Sequence, residues 1–143
     1  MTYPQPYGQP QYGPPPQGIA LTTRYFALSW MFAVVKPKIY VNGYEIPVWG
    51  WGRTVVPLAP GQYHLHVYTP YFFPTRVGPA DLTVNVNPGH LIELEYRTPL
   101  WTFSSGSLGP PPQRYNGMVP IVAVSAVAFL VVVVAMLVLL ATA

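Results

Sequence analysis

The chain has 143 residues, 51% of them hydrophobic and 8% charged, with seven Lys and Arg against four acids and no cysteine. That length allows one modest domain, and the missing cysteines exclude disulfides, thiolate zinc sites and cysteine nucleophiles. Arg24, Lys36, Lys38, Arg53, Arg76, Arg97 and Arg114 are scattered in sequence, with no run dense enough to track a phosphate backbone, which argues against a nucleic-acid partner.

Residues 1–18, MTYPQPYGQPQYGPPPQG, use only Tyr, Pro, Gln and Gly after the first two positions. Proline denies this stretch a hydrogen-bonded ladder and it has almost nothing apolar to bury, so a disordered head with polyproline II character is expected. It also lacks the basic start and apolar run of a secretory signal. Residues 25–35, YFALSWMFAVV, are apolar on every side, too short to span a bilayer, and followed by Pro37. A strand buried on both faces and an interfacial helix both fit that pattern. The β-branched and aromatic content favours the strand.

From residue 38 the period is two. KIYVNGYEI (38–46) reads as strand, Asn-Gly turn and strand, the strongest short hairpin signal. RTVVPL follows, then a Pro-Gly turn and the alternating QYHLHVYT (62–69). There Tyr63, Leu65 and Val67 share one face, while His64, His66 and Tyr68 share the other. ADLTVNVN, the turn at 88–90 and HLIELEYR complete the series. Short strands punctuated by Gly and Pro predict a small antiparallel β-sandwich over residues 19–108. Glu93 and Glu95, two apart beside Arg97, read as solubilising surface.

The connections are unusually aromatic. Trp49, Trp51, Tyr71, Phe72 and Phe73 all fall between predicted strands, with Arg53 and Arg76 beside them. Such rings either cap a small core or form a contact surface for a membrane or a partner. A Pro-rich linker (109–118) then leads to residues 119–143, which contain no charged residue. As a helix this stretch reaches about 37 Å, enough to cross a hydrocarbon core of about 30 Å, and 119–141 is expected to do so once. Arginines before the span and none after it place the body on the cytoplasmic side of the plasma membrane, in a tail-anchored topology.

Chemistry is sparse. His64 and His66 share a strand face, but a zinc or copper site wants three or four ligands, and His90 with Asp81, Glu93 or Glu95 would have to converge on them. No metal or other cofactor is expected. None of the serines sits in a nucleophile elbow, and no glycine-rich phosphate loop is present, so the chain is expected not to be an enzyme.

KIYVNGYEIP, GRTVVPLAPGQYHLHV and LTVNVNPGHLIELEY resemble the strand-and-turn pattern of PEGA-like β modules of bacterial envelope proteins. The head, the WGRTVVPL…PGQYHLHVYTPYF block and the LWTFSSGSLGPPPQRYNG exit resemble small membrane proteins of actinobacteria. The resemblance implies the β fold and the anchoring, and brings no catalytic residue. The expected function is therefore a membrane-anchored interaction or scaffold module, touching lipid and other envelope proteins. Two alternatives stand beside it: a glycan-binding module stacking sugars on Trp49, Trp51 and Tyr71, and a metal or pH sensor built on His64 and His66.

Overall fold

Asn42 and Gly43 both take positive φ, 49° and 81°. This left-handed turn, which glycine enters without a Cβ penalty, closes β2 (Lys38–Val41) and β3 (Tyr44–Ile46) into the expected hairpin, with Val41 opposite Tyr44. The computed structural model describes residues 16–142. Of the disordered head expected over residues 1–18, residues 1–15 lie outside them, whereas Gly18 already pairs with Pro57 and the Gln17 side chain donates to the Leu58 carbonyl at 2.9 Å, so the ordered body begins earlier than expected.

The remaining strands are β1 (Gly18–Arg24), β4 (Gly52–Pro57), β5 (Gly61–Pro70), β6 (Arg76–Val86), β7 (Leu91–Arg97) and β8 (Ser107–Gly109). They form two four-stranded sheets, β4-β1-β7-β8 and β3-β2-β5-β6. Ile19, Leu21, Leu94 and Tyr96 from the first face Ile39, Val41, Leu65, Val67 and Val86 from the second in one core. The predicted mainly-β sandwich is the observed fold, with one departure from antiparallel order. β1 and β7 run parallel, Gly18 beside Leu91 and Arg24 beside Arg97.

Residues 25–35 are not the strand the composition favoured. β1 ends at Arg24, and the chain then crosses the end of the sandwich to reach β2 in the other sheet. A crossing has no neighbouring strand to pair with, so it closes its own hydrogen bonds in a short 3-10 helix, Trp30–Val34. Phe32, 2% exposed, plugs the end of the core. The Trp51 indole N–H donates to the Phe32 and Val35 carbonyls at 2.7 Å each and pins the crossing in place.

A second correction concerns Glu95. It is 3% exposed, not surface, because the segment after β8 folds back over the outer face of β7. The Gln113 amide donates to Glu95 Oε2 at 2.6 Å, and Arg24 Nε and Arg97 Nη2 reach Glu95 Oε1 at 3.0 and 3.2 Å. Tyr115 continues the cover: Arg97 stacks over its ring at 4.8 Å and its hydroxyl donates to the Tyr25 carbonyl at 3.2 Å. The Leu100 amide donates to the Asn116 carbonyl at 2.7 Å. The predicted linker is thus strapped to the sandwich along most of its length.

Helix α1 (Met118–Thr142) follows directly, and none of its residues is buried. It is long and apolar enough to cross a membrane. A helix apolar on all sides and unpacked against its own domain needs apolar surroundings.

Candidate functional site

Strand direction sorts the connections into two groups. β1 and β7 finish together at Arg24 and Arg97, β4 starts beside Thr23, and β5 finishes where β6 starts, Pro70 opposite Arg76. Residues 25–37, 47–51, 71–75 and 98–106 therefore all lie at one end of the sandwich. Side-chain contacts join them: Phe32 meets Tyr71 at 5.4 Å and Phe73 meets Phe103 at 6.1 Å, both edge-to-face. Gly117, one residue before α1, lies against Trp101. The helix starts from this same end.

That end is apolar where it meets solvent. Leu28, Trp30, Val34, Trp49, Phe72, Phe73 and Phe103 are between 62% and 96% exposed. Loops of a soluble domain are normally polar, and the opposite end obeys that rule with the Asn42-Gly43 turn and the 87–90 turn. Core capping accounts for some rings but not these. Trp51 is half-buried, with both its hydrogen bonds inside the protein, and Tyr71 is half-buried against Phe32 and donates to Met31 Sδ. Trp49, Phe72 and Phe73 point outward, Trp49 the most at 96%. A sugar platform of Trp49, Trp51 and Tyr71 would thus have only one freely exposed ring.

The basic residues collect at the same end. Arg24, Arg97 and Arg76 occupy terminal rungs of their ladders, Arg53 the last but one, and Lys38 lies opposite Tyr68, two residues from the end of β5. Lys36 lies in the crossing and Arg114 in the strap. Scattered in sequence, all seven become a collar in three dimensions. Arg53 pairs with Glu93, and Arg76 stacks on the Tyr68 ring at 4.9 Å.

The histidines form a separate cluster on the open face of the second sheet. His64 Nε2 and His66 Nδ1 both lie against Asp81 Oδ1, at 3.0 and 2.8 Å. Tyr40 and Tyr68 stack beside them, 6.0 Å apart. The His66 hydrogen bond foremost, reinforced by His64, holds the Asp81 carboxyl below its usual range against the opposing effect of partial burial. Of the acids that would have to join the histidines, only Asp81 does, and both rings spend a nitrogen on one of its oxygens. His90 sits at the far end, its Nδ1 against the Pro88 carbonyl, and Glu93 and Glu95 belong to the other sheet. Among the described residues no group of three His, Asp or Glu is arranged to hold a metal ion.

Sequence reading singled out the loops around Trp49 and Phe72 but missed Leu28, Trp30, Phe103, Lys36 and Arg114. The crossing has the composition of a strand, and nothing in local spacing brings residue 103 beside residue 73. No family model matches the chain, and no curated protein or solved structure is significantly similar to it.

Proposed function

We propose that the protein is a non-enzymatic, membrane-anchored interaction module of the bacterial envelope, held to the plasma membrane by α1 with its β-sandwich on the cytoplasmic side. The observation that carries this reading is the strap. Hydrogen bonds that Gln113 and Tyr115 donate to the body, and one that Asn116 accepts from the Leu100 amide, leave almost no free linker before α1. A loose Pro/Gly tether would let a domain roam tens of ångströms from its anchor. This body instead stands directly on its helix, with its aromatic end against the interface region that tryptophan and tyrosine favour. The collar of Lys and Arg ahead of the span supports the cytoplasmic side through the positive-inside bias. The open sheet face carrying Tyr40, His64, His66 and Asp81 is then left for protein partners.

Two measurements test this. The full chain should stay in the membrane fraction after carbonate extraction, and a reporter fused ahead of Met1 should be active only in the cytoplasm. Release by carbonate would reject the anchor. An external reporter would reject the sidedness and favour an extracytoplasmic role. Crosslinking from the Tyr40 face in native membranes should capture a protein neighbour, and its absence would remove the interaction role.

A further inference from the structure

Charge pairing divides the collar into two classes. Lys38 is paired with Glu45, Arg53 with Glu93, and Arg24 and Arg97 share Glu95. Among the described residues Lys36, Arg76 and Arg114 have no carboxylate partner, and all three are exposed. Each stands beside an apolar element. Lys36 follows the 3-10 helix that exposes Trp30, Arg76 follows the loop that exposes Phe72 and Phe73, and Arg114 lies four residues before Met118. None of the four acids occupies a loop at this end: Glu45, Asp81, Glu93 and Glu95 are all within strands, and Glu95 is sealed under the strap. Glu45, Glu93 and Glu95 are spent on the other four cations, so the three unpaired ones leave the helix-side end positive.

We propose that this end is a binding surface for anionic bilayer, on which Lys36, Arg76 and Arg114 take headgroup phosphates while Trp30, Phe72 and Phe103 enter the interface. The inference rests on the anchored reading above and adds a charge-selective second contact to it. A membrane is favoured over a soluble acidic partner because α1 begins at this end, so any bilayer holding the helix already faces these residues. A single free phosphate is disfavoured because the three cations sit on three separate segments and build no common cradle. Many phosphates spread over a surface fit that spacing. A cation near such a surface strengthens contact about fivefold, and the contribution fades beyond a Debye length.

The full chain reconstituted into vesicles of phosphatidylcholine, with or without phosphatidylglycerol, tests the surface. Brominated lipids quench tryptophans that enter the interface. Quenching should rise when phosphatidylglycerol is present, and salt at about 1 M should return it to the phosphatidylcholine level through screening. Added inorganic phosphate should act only through its ionic strength. A triple variant, Lys36→Gln, Arg76→Gln and Arg114→Gln, should lose the phosphatidylglycerol-dependent part, while Lys38→Gln, whose cation is already paired, should keep most of it. The wild-type composition series stands even if the triple variant misfolds. Equal quenching in both vesicle types, with the chain still floating with the vesicles, would overturn the charge-selective contact and leave the anchor standing. Failure to float at all would overturn both. Displacement by inorganic phosphate beyond its ionic strength would make the site a soluble-anion site and also sink the proposal.

Discussion

Asp81 and Glu95 both point away from the core on central stretches of long strands, each beside basic or imidazole groups, yet their fates are opposite. The Asp81 side chain is 57% exposed and the Glu95 side chain 4%. The second sheet leaves its outer face open, so Asp81 sits between two histidines in water, where screening weakens each contact. The first sheet is covered by the strap from β8 to α1, so Glu95 is taken out of water and must be matched by Gln113, Arg24 and Arg97. One face is open to solvent, whereas the other is covered by the strap that leads to the helix. The contrast teaches that the same strand pattern is surface or interior according to where a distant segment returns.

The largest test of that contrast is removal of each carboxylate. Glu95→Ala strands two arginines and a buried amide, and is expected to cost about 2–4 kcal/mol, at or just below the range for breaking a buried pair because Arg24 remains more than half exposed. Asp81→Ala is expected to cost under about 1 kcal/mol. Urea unfolding of the two variants in detergent compares them directly, and equal losses would erase the distinction.

A narrower comparison isolates the strap. Gln113→Ala keeps the backbone N–H that Glu95 accepts from, whereas Gln113→Pro removes it. The proline variant should be less stable than the alanine variant by about 1–3 kcal/mol, the cost of an unmet buried acceptor. Limited proteolysis should cut it faster between residues 110 and 117. Matching cleavage rates would show that the amide does not hold the strap.

Acid should act through Glu95 next. Burial alone pushes this carboxyl up, but the Gln113 amide, Arg97 and Arg24 outweigh it and hold it below its ordinary value of 4.5. A depressed folded-state value contributes stability that is present above pH 4.5 and lost as pH falls through the folded value. Asp81, held below 3.8, adds a loss of the same sign at lower pH. Unfolding free energy should therefore decline below pH 4.5, with a shallower slope in Glu95→Gln. An unchanged slope would mean the carboxylate is not ionised under the strap.

The smallest effect belongs to Asp81→Asn, which keeps an acceptor for His64 and His66 and is expected to fall within about 0.5 kcal/mol of wild type. A larger loss in thermal unfolding would give the histidine face a structural role that its exposure does not indicate.

Much of this arrangement was legible beforehand, for identifiable reasons. The Asn42-Gly43 hairpin, the alternating faces of β5 and β6 and the uncharged run from residue 119 are set by local chemistry: φ range, a period of two, and the absence of charge. β1 escaped the same reading because its residues are buried on both faces, with Ala20 and Leu21 both fully covered, so no alternation marks it. The spacing of His64 and His66 marks one face of β5, and Asp81 joins that face only through the β5–β6 register that sets it opposite His66.

The sequence by itself determined the strand count to within two, the turns and the apolar helix, because each depends on neighbours a few residues apart. Only the tertiary structure decided that residues 25–35 cross the end of the sandwich, that Glu95 is interior, and that seven scattered cations and four aromatic loops gather at the end where α1 starts. Those outcomes depend on strand order and direction, including one parallel pairing. They arise from packing two sheets over a shared core and have no signature in any local window.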